Sequence, residues 1–290
     1  PPELVAERAR GADILLTNKT VLGPETIAAL PELKMIGVLA TGYNIVDTAA
    51  AAARKIPVCN VPSYGTDSVS QLVMALVLEF CHNTAGHSES VKAGGWCRAA
   101  DYSYWLKPLI ELKGKTMGII GYGAIGRRTA ELAHAFGMKI LAYNTSPKTA
   151  PDYGDFAFAG LDEVFAQSDF ITLHCPLTDK NRGMINAESI SIMKKTVFLI
   201  NTARGPLIDE QALLNALNTG RVAGAAVDVL SSEPPKSDNL LLKAKNIVIT
   251  PHIAWATLEA RRRLMATAAQ NIKAFLAGKP QNVVNGSDLK

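Results

Sequence analysis

The sequence predicts an α/β fold built on parallel sheets, and three observations carry that prediction. Short β-rich apolar runs alternate with helical patterns along the whole chain, the arrangement expected of βα units. One segment, 118-GIIGYGAIGRRTAELAHAFG-137, reads as a strand, a glycine turn and a helix in succession. A chain of 290 residues is too long for one compact core, so two domains are expected.

Taken in order, 13-DILLT-17, 35-MIGVLA-40 and 56-IPVCNV-61 read as strands. Helices are expected near 24–30 and near 46–54, where the run 49-AAAAA-53 has high helix propensity. A long apolar helix is expected over about 66–85, opened by the capping residues 66-TDS-68. The stretch 91-VKAGGWCRAADYSYWLKP-108 is rich in glycine and aromatics and has no clean period. It reads as a crossover between domains, its aromatic side chains packed on their own domain or on a second subunit. The second domain opens at 114-GKTMGIIGYGAIG-126. Further strands are expected at 139–144, 170–174, 197–202, 222–229 and 247–250, with helices between them. A helix over about 257–277 is long enough to return to the first domain. The expected boundaries are therefore 1–90, 91–256 and 257–290.

Composition narrows the function classes. Apolar content of 48% and charged content of 19% are ordinary for a globular protein. The net charge of +4 is mild, and 261-RRR-263 lies in a helical pattern, so nucleic acid is not an expected partner. Cys59, Cys81, Cys97 and Cys175 show no metal-ligand spacing. They are expected to be buried free thiols in a reducing cytoplasm, with no metal. The run 72-LVMALVL-78 is too short to span a bilayer, and no signal peptide pattern is present.

The glycine turn carries the first chemistry. In G-x-G-x-x-G, Gly121 permits the tight turn, Gly123 lets a pyrophosphate approach, and Gly126 lets helix and strand pack closely. Tyr122, Ala124 and Ile125 complete the turn and the helix start, whose free N–H groups favour an anion. A dinucleotide on a Rossmann-type doubly wound parallel sheet is expected there. The next strand closes at 144-NTSPK-148, where Asn144 stands in place of the acid that usually bonds the NAD ribose. Asn144 can bond a hydroxyl, and Thr145, Ser146 and Lys148 can bond a 2′-phosphate. NAD is favoured and NADP stays open.

Ligands of an open parallel sheet sit beyond the carboxyl ends of its strands. Three successive ends carry Arg204, then Asp228 with the loop holding Glu233, then His252. Arg204 can grip a carboxylate in a bidentate fork and polarise a carbonyl. His252 can give a proton to a nascent alkoxide and take it back. Glu233 can accept from the other imidazole nitrogen, fixing its tautomer and raising its pKa toward the working pH. Together with a nicotinamide, that set fits reduction of a 2-keto acid. Taken singly, each residue has a plainer reading as a loop, capping or core residue. His82, His87, His134 and His174 keep that plainer reading, although His174 ends a strand near the cofactor turn.

These motifs, with 200-INTARG-205, 251-PHIAW-255 and 101-DYSYWLKPLIELKGKTMGIIG-121, resemble the D-isomer-specific 2-hydroxyacid dehydrogenases, closest to the glycerate dehydrogenase or hydroxypyruvate reductase branch. The resemblance spans nearly the whole chain. It implies an oxidoreductase acting on a small 2-keto or 2-hydroxy acid, and a second, smaller flavodoxin-like α/β substrate domain. It also implies that Ala40, Thr41 and Gly42 lend backbone N–H groups to the substrate carboxylate and that Asp228 bonds the nicotinamide carboxamide. Thr202 and Ala203 would lie along the cofactor, and His174, Cys175 and Pro176 near its adenosine half. A homodimer with the 91–108 arm on the partner is implied too. Tyr43, Tyr64, Trp105 and Trp255 are the candidate pocket walls. Members usually carry about one more strand unit before Pro1, so the first domain is expected to lack it. A nucleotide-sensing corepressor of the same fold is the rival reading. A formate dehydrogenase would pair its histidine with Gln rather than Glu233.

Overall fold

The computed structural model describes residues 2–289, which fall into two compact units. The first holds residues up to Gly65 together with those from Ala256 onward; the second runs from Thr66 to Trp255.

The first unit carries β1 (Ile14–Thr17), β2 (Met35–Val38) and β3 (Val58–Cys59), paired in parallel in that order. Helices α1 (Val5–Arg8), α2 (Pro24–Ala28) and α3 (Thr48–Ala53) precede or connect them. Asp47 caps α3 by accepting from the Ala50 N–H, the role expected of a short acidic side chain at a helix start. Ile27, Ile36, Val38, Ala51 and Val58 form the buried centre of this unit.

The second unit opens with α4 (Thr66–His82) and α5 (Thr84–Lys92). It continues through β4 (Thr116–Ile120), α6 (Ala124–Ala135), β5 (Lys139–Tyr143), β6 (Phe156–Phe158), α7 (Leu161–Gln167) and β7 (Phe170–Leu173). Helix α8 (Ala187–Ile192), β8 (Phe198–Asn201), α9 (Glu210–Asn218), β9 (Gly224–Val227) and β10 (Ile247–Ile249) complete it. All seven strands are parallel, in the order β10-β9-β8-β7-β4-β5-β6. The chain runs outward from β4 to β6, then returns to β7 on the other side. The strand order therefore reverses between β4 and β7, where doubly wound sheets bind their ligands. Successive strand residues face opposite cores: Ile120, Ile171 and Leu199 one, Ile119, Phe170 and Ile200 the other. Burial on both faces explains why these strands read as unbroken apolar runs.

The unit boundary differs from the sequence expectation. Helix α4 was expected in the first domain, with the division after residue 90. Its apolar side, including Val73, Val77 and Phe80, packs into the same core as α6 and Phe198 of β8. The division therefore falls at 65/66, and the 91–108 stretch is no crossover but lies inside the second unit. Helix α10 (Leu258–Leu276), capped by Thr257, belongs to the first unit. There Asn271 donates to the Asn60 carbonyl at 2.8 Å, and the Asn282 amide donates to Asn271 Oδ1 at 2.8 Å. Among the described residues no helix is long and apolar enough to cross a membrane, and no His, Cys, Asp and Glu cluster could hold a metal.

The thiols divide. Burial pushes Cys59 and Cys81 up to about 11 and raises Cys175, whereas Cys97, expected to be buried, is exposed on a single 3-10 turn at Trp96–Arg98. A raised thiol pKa keeps the proton on sulfur below that value, and the thiolate is the nucleophile. Iodoacetamide at pH 8 is therefore expected to alkylate Cys97 first. Peptide mass mapping over time checks this, with Cys59 and Cys81 labelled only on unfolding.

Candidate active site

The turn between β4 and α6 is a built cradle. Gly121 adopts φ of +100°, and a Cβ there would lie 2.6 Å from the Cys175 nitrogen. Only glycine lets the turn pass so close to the end of β7. A Cβ on Gly126 would strike the Gly121 carbonyl, while one on Gly123 would meet only open space. The first helical hydrogen bond is Arg127 N–H to the Gly123 carbonyl, so the N–H groups of Ala124, Ile125 and Gly126 have no partner within the helix.

Within the turn the Tyr122 side chain points into the core. Its ring is buried against Phe156 and Phe158, at centroid distances of 5.1 and 5.3 Å, with the Arg127 guanidinium 5.4 Å from the ring. Its N–H donates to Asn144 Oδ1 at 3.0 Å. The Asn144 amide in turn donates to the Ser146 carbonyl and hydroxyl, at 2.7 and 3.0 Å. Asn144 therefore ties the glycine turn to the end of β5, and only one Oδ1 lone pair is left for a ribose hydroxyl. Thr145, Ser146 and Lys148 are exposed beside it.

At the switch point, His174 N–H donates to the Ile120 carbonyl, and Thr172 Oγ1 lies 3.0 Å from His174 Nε2. Part of this histidine's surface is accessible, but its ring is enclosed, and loss of water lowers its pKa to about 3. His174 is thus neutral and takes no charge at working pH. Cys175 is half-buried and Pro176 exposed beside it.

The chain contacts that gather the three strand ends run in series. Asn201, fully buried at the end of β8, accepts from the Ala203 N–H at 3.0 Å and donates to the Arg204 carbonyl at 2.9 Å. This brace turns the chain after β8 and presents Arg204. The next residue, Gly205, lies so close to Leu230 and Ser231 that a Cβ would overlap their backbone. The end of β8 is thereby pressed on the loop after β9. In that loop Glu233 accepts from the Leu230 N–H at 3.1 Å, and its other oxygen lies 2.6 Å from His252 Nδ1. His252 itself has φ of +53°, and its N–H closes a tight turn on the Thr250 carbonyl.

These contacts leave a reactive set. Arg204 is half-buried and spends one N–H on the Ala203 carbonyl, at 2.7 Å. It makes no ion pair with any described residue, so the rest of its five-donor fork is free for an anion. The imidazole is held at Nδ1, and its Nε2 bonds no described residue. Asp228, which the resemblance assigns to the nicotinamide carboxamide, is almost fully enclosed and accepts three hydrogen bonds from the His252 loop. Thr202 and Ala203 are half-buried, and the Thr202 hydroxyl is buried with no partner among the described residues. The helix start, the open space at Gly123 and that orphan hydroxyl fit a dinucleotide.

No local pattern in the sequence marks Gly205, because its role depends on a chain segment 25 residues away. Gly205→Ala is expected to cut kcat/KM roughly a hundredfold, since a shift of about 1 Å at a reacting centre costs that much. Steady-state kinetics beside Arg204→Leu check it.

In the first unit, Asn60 Nδ2 donates to the Thr41 carbonyl at 2.8 Å, and Asn18 Nδ2 to the Leu39 carbonyl at 2.6 Å. The N–H groups of Thr41 and Gly42 donate to no described residue. Among the candidate pocket walls Tyr43 and Trp105 are exposed, Trp255 is half-buried and Tyr64 is buried.

Comparison with known proteins decides the family. Residues 74–254 match the D-isomer specific 2-hydroxyacid dehydrogenase, NAD binding domain. The chain belongs to the D-isomer-specific 2-hydroxyacid dehydrogenase family. It is 50% identical to a hydroxypyruvate reductase of Blautia hydrogenotrophica over 98% of this chain and 88% of that protein. It is 43% identical to a glycerate dehydrogenase of Methylorubrum extorquens over the same shares. Among solved structures, an acyclic imino acid reductase in complex with NADPH and D-Arg superposes with a TM-score of 0.89 at 32% identity, covering 98% of this chain and 89% of that one. As a member of this dehydrogenase family the protein is an oxidoreductase with an NAD-binding domain, and its seven-stranded sheet is of the Rossmann type.

Proposed function

We propose that this dehydrogenase reduces hydroxypyruvate to D-glycerate, and glyoxylate to glycolate, with Arg204, Glu233 and His252 as its catalytic residues. The observation that carries the proposal is the Glu233–His252 pair at 2.6 Å, with the Glu233 loop pressed against Gly205 and the preceding Arg204 in no ion pair with any described residue. The names of the two relatives, a hydroxypyruvate reductase and a glycerate dehydrogenase, support the substrate class.

A reduced nicotinamide held by the glycine turn would supply the hydride for the carbonyl carbon. Arg204 holds the carboxylate through two parallel N–H bonds, and its charge draws electron density toward the carbonyl oxygen. His252 gives its Nε2 proton to that oxygen as negative charge develops there, and takes a proton back in the reverse direction. Glu233 accepts a hydrogen bond from the Nδ1–H, which fixes the ring and leaves Nε2 as the nitrogen that exchanges. Thr202, Ala203, His174, Cys175 and Pro176 line the cofactor in this reading, with Gly121, Gly123, Ala124, Ile125 and Gly126 at the pyrophosphate. Asn144 and the exposed Thr145, Ser146 and Lys148 present no acid to a 2′-phosphate, so NADPH is admitted beside NADH.

The backbone N–H groups of Thr41 and Gly42, with Ala40 before them, are assigned to a substrate carboxylate; that they are otherwise unused supports the assignment. Asn60 shapes this loop. Asn60→Leu is expected to raise KM for hydroxypyruvate roughly tenfold, about what an unpaired buried carbonyl costs, with the NADH dissociation constant unchanged by fluorescence titration.

A homodimer is proposed from five large apolar side chains exposed along one stretch of chain, Trp96, Tyr102, Trp105, Leu106 and Leu109, of which Tyr102 is 85% exposed. Exposed apolar residues concentrated in this way mark interaction segments more than scattered single ones do.

Initial rates with hydroxypyruvate, glyoxylate and pyruvate, each with NADH and with NADPH, test the proposal. Turnover of the first two is expected. Cofactor binding without turnover of any 2-keto acid would remove it in favour of a sensing role.

A further inference from the structure

The loop that carries His252 is held by two buried side chains, Asp228 and Ser68. From β9, Asp228 is 1% exposed. Its Oδ1 accepts from the Thr250 hydroxyl at 2.5 Å and from the Ile253 N–H at 2.9 Å, and its Oδ2 from the Ala254 N–H at 2.9 Å. From α4, the buried Ser68 hydroxyl donates to the Ala254 carbonyl at 2.5 Å. Positions 250, 253 and 254 bracket position 252. A carboxylate removed from water is tolerated only when its oxygens are bonded, and here all three donors come from this one loop.

The loop needs such holding. His252 sits in the left-handed region at φ of +53°, which is uncommon for residues other than glycine and persists when the surroundings over-determine it. Released, the turn about Pro251 would relax and carry Nδ1 away from Glu233. Three of the roughly four lone-pair positions of the carboxylate are filled by the loop. At most one remains for any cofactor amide.

We infer that Asp228, with Thr250 and Ser68, is a positioning residue that fixes His252 against Glu233 for proton transfer. The inference rests on His252 being the proton donor, but the geometry it asserts can be read without catalysis. In protein labelled with ¹⁵N-histidine, the Nδ1 proton held between His252 and Glu233 gives a far-downfield resonance, assigned by its loss in His252→Ala. Thr250→Val and Ser68→Ala keep side-chain volume close to the original and are the variants least disruptive to the fold. Asp228→Asn removes the carboxylate.

Asp228→Asn is expected to lose the resonance and to lower kcat at saturating NADH roughly a hundredfold, the effect of about 1 Å of misplacement. Thr250→Val and Ser68→Ala are expected to broaden the resonance and lower kcat roughly tenfold, one hydrogen bond's worth. The NADH dissociation constant, read by fluorescence, is expected to stay within about twofold, because misplacing the proton donor removes stabilisation only in the transition state. An intact resonance in Thr250→Val and Ser68→Ala would overturn the clamp, whether or not Asp228→Asn folds. Weakened NADH binding in Asp228→Asn with the resonance retained would also overturn it, leaving Asp228 as a cofactor ligand. Wild-type turnover in His252→Ala would instead refute the proton-donor reading, and the resonance would still decide the clamp.

Discussion

Arg204→Leu is expected to lower kcat/KM for hydroxypyruvate by roughly thirtyfold to five-thousandfold, since truncating one partner of a bonded charge pair costs about 2–5 kcal/mol. The loss falls on both KM and kcat, because the guanidinium holds the carboxylate in the ground state and draws charge in the transition state. NADH binding should be nearly untouched, since the pyrophosphate cradle at 121–126 is built from backbone. Steady-state kinetics with a fluorescence titration of NADH separate the two. Equal loss of cofactor and substrate binding would mean that Arg204 holds the fold rather than the substrate. Arg204→Lys keeps the charge and loses the fork, so partial recovery of KM with low kcat is expected from it.

His252→Ala is expected to lower kcat by about 10²–10⁴, the usual contribution of a positioned acid or base. KM should change far less, because the proton moves only as the alkoxide forms. Glu233→Gln keeps an acceptor for the Nδ1 proton but removes the negative charge 2.6 Å from the ring, so its loss is expected to be smaller. Rapid-mixing measurement of the first turnover checks that the chemical step, and not product release, has slowed.

The catalytic candidates were readable in the sequence because a parallel sheet delivers them by rule. Arg204, Glu233 and His252 follow successive apolar runs, and β8, β9 and β10 are neighbours in the sheet. The glycine turn was readable because strand, turn and helix occur in unbroken succession. Contacts that depend on distant segments were not. Gly205 matters through its approach to Leu230 and Ser231, and no local pattern marks that. The resemblance assigned Asp228 to the cofactor, but its bonds from Thr250, Ile253 and Ala254 come from a loop more than twenty residues on, which no local pattern marks.

Element boundaries failed for similar reasons. Helix α4 is apolar on a broad side, and nothing in its sequence says which unit it packs on. Helix α5 buries no residue, so it has no apolar period by which to be seen. Strand β6 is three residues long at the sheet edge. Asn144 read as a weak substitute for an acid, and its bonds to Tyr122 and Ser146, which leave one Oδ1 lone pair for a hydroxyl, were not readable. Which partner satisfies an amide is decided by folding, not by composition.

The central claim, that this chain delivers a hydride and a proton to one face of a small 2-keto acid, is tested most directly by the handedness of its product. Hydroxypyruvate is incubated with NADH, loss of the reduced-nicotinamide absorbance is followed, and the glycerate formed is resolved on a chiral column. Consumption of one NADH per D-glycerate, abolished in His252→Ala, is the expected result. Absence of NADH consumption, or formation of L-glycerate or a racemic mixture, would contradict the account.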